Sequence, residues 1–318
     1  MLQWILFTGF QEKWNVNLEM PAAPDKVYTI GFCNLSEQHP FAVAVRRGLE
    51  AAVAAHPHLR LISRDNDYNT DRAMVNAREF ADAKVDLGII YHLDERANPL
   101  IANILLREAI PVITVDIPIA PWITFFGVDN AQAGRLVGVE LGKWIKQQWD
   151  GRVDKIIVLT DNRVLGEVRK RTDQALVALS DWVSFSPNDV LHLDSGNTHD
   201  IAYERVLPVL QRWEDQHRIA VIGMNDDTAI GALDAARALG REGDMAVVGQ
   251  GADLAIAELR NPNSRLIAST AYFPERYGAQ LVELALRVFR GEKLERRYTI
   301  QHMCVTRENV ADFDSPAR

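Results

Sequence analysis

Short β-branched runs alternate with amphipathic helical patterns almost without a break from Lys26 onward, and this alternation narrows the possible folds more than any other feature. VYTIGFC leads to a helical pattern opened by Pro40, with Phe41, Val45, Leu49 and Val53 on one face. LRLIS leads to Thr70 and a helix carrying Met74, Ala77 and Phe80; VDLGIIY leads to one carrying Leu100, Ile101, Ile104 and Leu105. PVITVD and FFGVDN precede a long helix with Leu136, Val137, Leu141, Trp144 and Ile145. The second half repeats the scheme. KIIVLT precedes a helix predicted from Leu165 to Leu179, and DVLHLD precedes one ending near Trp213. IAVIGM, MAVVG and RLIAST follow, then a helix from Pro274 to Arg290 that stops at Gly291. A period of two, or unbroken apolarity, thus alternates with a period of about 3.6. Strict alternation predicts parallel sheets with helices on both faces. Six or so strands per half predict an α/β protein of two doubly wound lobes.

A chain of 318 residues, 47% hydrophobic and 25% charged, is long enough for two cores. The net charge of −8 argues against nucleic acid as a partner, because binding phosphates needs clustered Lys and Arg. No apolar run reaches the roughly 18 residues that span a bilayer. Cys33 and Cys304 each lie in a strand-like segment and read as buried free thiols. In residues 1–25, LQWILFTGF resembles the apolar part of a signal peptide, but no basic residue precedes it. That segment is set apart as an N-terminal arm or leader remnant.

In open α/β sheets, ligands bind beyond the carboxyl ends of the strands. Those positions hold Asn34 to His39, Tyr91 and His92, Asp116, Asp161 to Arg163, Asp194 to Asn197, Asn225 to Asp227, Gln250 and Tyr272. In IAVIGMNDDTAIGAL a buried strand surfaces directly into Asn225, Asp226 and Asp227. One carboxylate suffices to cap the following helix. The expectation is that Asp226 or Asp227 caps it, and that Asn225 points into the cleft. Catalytic motifs are missing: GQGADL has Leu254 where a dinucleotide fingerprint needs its third glycine, and there is no GxxxxGK[ST], GxSxG or HExxH. The His56-Pro57-His58 turn reads as a solvated loop, and the eight histidines show no metal-ligand spacing. The chain therefore reads as a binder, not an enzyme, with neither cofactor nor metal.

Seven segments in order, IGFCNLSEQHPFAVAVRRGLEAA, IPVITVD, GVDNAQAGRLVG, VRKRTDQAL, VIGMNDDTAIGAL, AVVGQGAD and LIASTAYFPERYGAQL, resemble the type I periplasmic sugar-binding proteins, the ribose-binding group and its relatives. The resemblance implies two lobes joined by a three-strand hinge: residues 26–128 plus 273–300, and residues 129–272 plus 301–318. It implies ligand contacts from His39, Phe41, Tyr91, Asp116, Arg171, Asn225, Gln250 and Tyr272. Three positions depart from the family pattern. An Asp-Arg pair is here Asp116-Ile117, GFDG is here GQGA, and a hinge Gln is Tyr272. These departures imply a monosaccharide or polyol other than D-ribose. Acceptor-only Asp, donor-only Arg and two-way Asn suit hydroxyl groups, and aromatic rings suit C–H faces.

The same fold serves as the effector-binding core of LacI-type regulators, so two roles stand open. One is the periplasmic, monomeric receptor of an ABC sugar importer, working with a membrane permease. The other is a regulator's sensor domain, which needs a helix-turn-helix headpiece of roughly 50–60 residues. Only 25 acidic-to-neutral residues precede Lys26, which favours the importer.

Overall fold

The computed structural model describes residues 26–313; the arm or leader remnant expected over 1–25, and residues 314–318 of the expected second lobe, lie outside the described residues. The first half runs β1 (Tyr28–Asn34), α1 (Pro40–Ala54), β2 (Leu59–Asp65), α2 (Thr70–Asp82), β3 (Leu87–Ile90), α3 (Asn98–Arg107), β4 (Val112–Val115) and β5 (Thr124–Gly127). The second half runs α4 (Asn130–Gln148), β6 (Lys155–Thr160), α5 (Lys170–Ser180), β7 (Val190–Asp194), α6 (His199–Arg212), β8 (Ile219–Ile222), α7 (Asp226–Ala238), β9 (Met245–Gly251), α8 (Ala255–Arg260) and β10 (Leu266–Ala271). Then come α9 (Tyr277–Phe289), β11 (Arg297–Thr299) and β12 (Met303–Thr306).

Two six-stranded sheets result, ordered β11-β5-β4-β3-β1-β2 and β12-β10-β9-β8-β6-β7. Leaving aside the last strand of each, the two orders are the same doubly wound pattern used twice. All pairings are parallel except β10 with β12, which is antiparallel and departs from the all-parallel expectation. The reason is connectivity: the chain leaves β11 and crosses to the other sheet within three residues, too short for the crossover that a parallel strand needs.

Each sheet is buried on both faces. Ile30 and Phe32 of β1 join Val45 and Leu49 of α1 and Leu281 of α9, while Cys33 packs with Ala77 and Phe80 of α2 and Ile101 of α3. In the second sheet Val221 meets Ala202 of α6 and Ala232 of α7, while Ala220 meets Val137 of α4 and Ala175 of α5. Strand order reverses between β1 and β3, and again between β6 and β8. Helices leave opposite faces there, which opens a crevice at the carboxyl edge.

The helix predicted from Leu165 begins only at Lys170. The preceding residues instead bond Glu95 on the other sheet's side: Glu95 N–H donates to Arg163 O at 3.2 Å, and Gly166 N–H donates to the Glu95 carboxylate Oε2 at 3.1 Å.

Candidate functional site

The carboxyl edges of the two sheets face one another across a cavity, and all eight residues singled out from the sequence line it. His39 and Phe41 flank Pro40 at the start of α1, Tyr91 follows β3, and Asp116 follows β4. Opposite them, Arg171 lies in the first turn of α5, Asn225 precedes α7, Gln250 is near the end of β9, and Tyr272 follows β10.

Asp116 is 4% exposed and sits in the left-handed region at φ 57°. Its Oδ1 accepts from Val128 N–H and from the Tyr277 hydroxyl, both at 3.1 Å. The carboxylate therefore ties the end of β4 to the first passage between the sheets while facing the cavity. Burial pushes the carboxyl up to about 6, against the opposing pull of Arg171 and the Val128 N–H.

Arg171 is the cavity's cation. Its Nε donates to Asn130 Oδ1 at 3.0 Å and its Nη1 to Met224 O at 2.9 Å, and its guanidinium lies 5.0 Å from the centre of the Tyr272 ring. Glycines explain how α5 reaches this place. A Cβ on Gly134 would run into Arg171 O, and one on Gly138 into Ala175 O, so side chains there would force α4 and α5 apart.

Asn225 behaves differently from the sequence expectation. It is itself the N-cap of α7: Oδ1 accepts from Thr228 N–H at 2.8 Å, and the Thr228 hydroxyl completes a capping box. Its Nδ2 still faces the cleft, 3.0 Å from Asn197 Oδ1 and 3.3 Å from His39 Nε2. One amide serves both purposes, because its acceptor and donor ends point in different directions. Neither carboxylate caps α7. Asp226 is buried, accepting from Ser269 Oγ at 2.6 Å and from Ala255 N–H at 3.0 Å. Asp227 accepts from His199 N–H at 3.0 Å and so caps α6, whose own Thr198 makes no side-chain cap.

Burial and the nearby Arg171 charge lower His39 to about 4, so it is neutral near pH 7, and its Nδ1 is buried without a partner. Phe41 meets the Tyr272 and Tyr277 rings edge-on, at 6.0 and 5.7 Å between centres. The Tyr272 hydroxyl donates to Gln250 Oε1 at 2.5 Å. Burial holds the Tyr91 and Tyr272 phenols above their ordinary values, so both remain protonated.

Sequence reading missed Tyr68, Glu95 and Asp253. Asn197 Nδ2 donates to the Tyr68 hydroxyl at 3.1 Å, and the Arg163 guanidinium lies 5.1 Å from the centre of that ring. Tyr68 lies three residues past β2, so the strand-end rule could have found it. Asp253 lines the cavity two residues past the end of β9, so the same rule could have found it. Among the described residues no group of His, Cys, Asp and Glu is arranged to hold a metal.

A family model described as "Periplasmic binding protein domain" matches residues 30–293. The ribose import binding protein of Salmonella typhimurium is 24% identical over 284 residues, covering 88% of this chain and 91% of that one. Among solved structures, an ABC transporter periplasmic solute binding protein from Actinobacillus succinogenes with bound D-allose superposes with a TM-score of 0.76. It is 20% identical, with 90% of this chain and 100% of that one covered. The Caulobacter myo-inositol binding protein bound to myo-inositol gives a TM-score of 0.75 at 20% identity, with 93% and 98% covered.

Proposed function

Because the chain belongs to the periplasmic binding protein domain family, we propose that it is a receptor that encloses a monosaccharide or polyol between its two sheets. One observation carries this reading. An acceptor carboxylate (Asp116), a donor guanidinium (Arg171), the donor end of an amide (Asn225) and the aromatic rings of Phe41 and Tyr272 converge from both sides on one cavity. Hydroxyl groups both donate and accept, so such a set can satisfy several of them at once. Leaving one buried group unpaired costs about 1–3 kcal/mol, enough to separate epimers.

The receptor is a binder without catalytic function, residing in the periplasm as a monomer and delivering its ligand to the membrane permease of an ABC importer. The lobes that move are residues 26–128 with 273–300, and 129–272 with the described residues from 301 onward. The contacts of Glu95 with Arg163 and Gly166, and of Tyr68 with Asn197, break when they part. Ile117 and Tyr272 line the cavity and make it less polar, which disfavours D-ribose as the preferred ligand.

Thermal shift followed by calorimetry tests the reading on a panel of D-ribose, D-allose, D-fructose, L-arabinose, myo-inositol and glycerol, with L-leucine and AMP as controls. A ligand of the native state raises the melting temperature by mass action. Binding of a panel member but of neither control is expected; tight binding of a control and of no panel member overturns it.

A further inference from the structure

We propose that Asp253, acting with the amide of Gln250, is a specificity-determining contact of the cleft. It offers a carboxyl acceptor beside a buried N–H donor, and takes one hydroxyl or two neighbouring hydroxyls of the ligand. The inference rests on the polyhydroxyl reading above.

The backbone places Asp253 there. Gly251, at the end of β9, has φ +119°, and Ala252 has φ +54°. Two successive positive-φ residues bend the chain sharply at the end of the strand. A Cβ on Gly251 would lie 2.7 Å from Asp253 Oδ1, so a side chain at 251 would push the Asp253 carboxyl out of its present place. The acidic group absent from position 251 is thereby replaced from two residues further along.

Gln250 supplies the donor. It is 1% exposed; its Oε1 is taken by the Tyr272 hydroxyl, and its Nε2 is buried without a partner. A buried donor left unpaired is costly, which marks Nε2 as a group that a ligand oxygen would satisfy. Gln250 and Asp253 line the same cavity.

Asp226, anchored by Ser269 Oγ and the N–H groups of Leu254 and Ala255, faces Asp253 across this bend. Burial, with Asp253 facing it, pushes Asp226 well above the ordinary carboxylate range.

The test uses Asp253→Ala and Asp253→Asn in calorimetry against the same panel, with melting of the ligand-free proteins alongside. Asp253→Ala should weaken the panel member that wild type binds by at least about tenfold. Asp253→Asn should change the ranking within the panel. Neither should melt lower than wild type, since each removes a like charge from beside Asp226. Wild-type affinity and ranking in both variants overturn the proposal and leave the receptor reading standing; a wild type that binds no panel member overturns both. Should Asp253→Ala melt lower, the near-isosteric Gln250→Met decides: a comparable loss of affinity supports the paired contact, and wild-type binding overturns it.

Discussion

His39 Nε2 and Asn225 Nδ2 meet at 3.3 Å across the cleft, one from each sheet's side, although 186 residues separate them in the chain. The other end of the same amide accepts from Thr228 N–H, so the cap of α7 dictates which way the NH2 group points. Capping and cleft geometry are thus coupled through one side chain.

Asn225→Asp separates the two roles. The carboxylate keeps the acceptor for Thr228 N–H and loses the donor toward the cleft. The cap should survive, so hydrogen exchange at the Thr228 amide should match wild type, and ligand affinity should fall by about 5- to 150-fold in calorimetry. An unchanged affinity would mean that the cleft-facing NH2 is idle.

Asp227→Ala should weaken α6, not α7, because its carboxylate accepts from His199 N–H. The expected loss of folding stability is about 1 kcal/mol. Hydrogen exchange should rise at the amide of His199 and its neighbours, with the first turn of α7 unaffected. Faster exchange confined to residues 226–229 would contradict the assignment.

Arg171→Lys keeps the charge and loses the planar fork that bonds Asn130 Oδ1 and Met224 O together. An ammonium cannot reproduce those directions while also facing Tyr272. We expect about tenfold weaker binding, equivalent to roughly 1.4 kcal/mol. Wild-type affinity would show that only the charge matters.

Acid sensitivity should arise in part where the chain passes between the sheets, alongside the buried His39 of the cleft. His302 Nε2 accepts from Asp129 N–H at 3.0 Å, which an imidazolium cannot do, and burial lowers its pKa from 6.5 to about 4. Above 6.5 the ring is neutral in both folded and unfolded chains and exerts no pH effect. Below that, the unfolded chain takes up a proton that the folded one refuses, so stability falls until the pH reaches the folded value. His302→Gln retains an acceptor that does not titrate. Between pH 6.5 and 4, the stability of wild type relative to this variant should fall by on the order of 1 kcal/mol per pH unit. Parallel pH profiles in urea denaturation would rule this out.

Local pattern was enough for the architecture. Hydrophobic period depends on neighbours within a few residues, so the runs around Ile30, Ile157 and Val221 declare themselves as strands, and Val45 and Leu141 as helix faces. The carboxyl-edge rule then carries Asp116, Asn225 and Gln250 to one crevice without any knowledge of side-chain contacts, whereas Arg171, in the first turn of a helix, was legible only through the family resemblance. Which hydrogen bond each polar group makes was decided only by the tertiary structure. Asp226 looks like a cap in NDD, yet its partners are Ser269 and Ala255, 43 and 29 residues away. Asp227 serves a helix that begins 28 residues earlier, and Asp253 lines the cavity after a bend made by the positive-φ residues Gly251 and Ala252. Periodicity is a property of the nearby chain. A hydrogen bond depends on position and direction at ångström scale, and for these residues both come from segments that meet only when the sheets and helices pack.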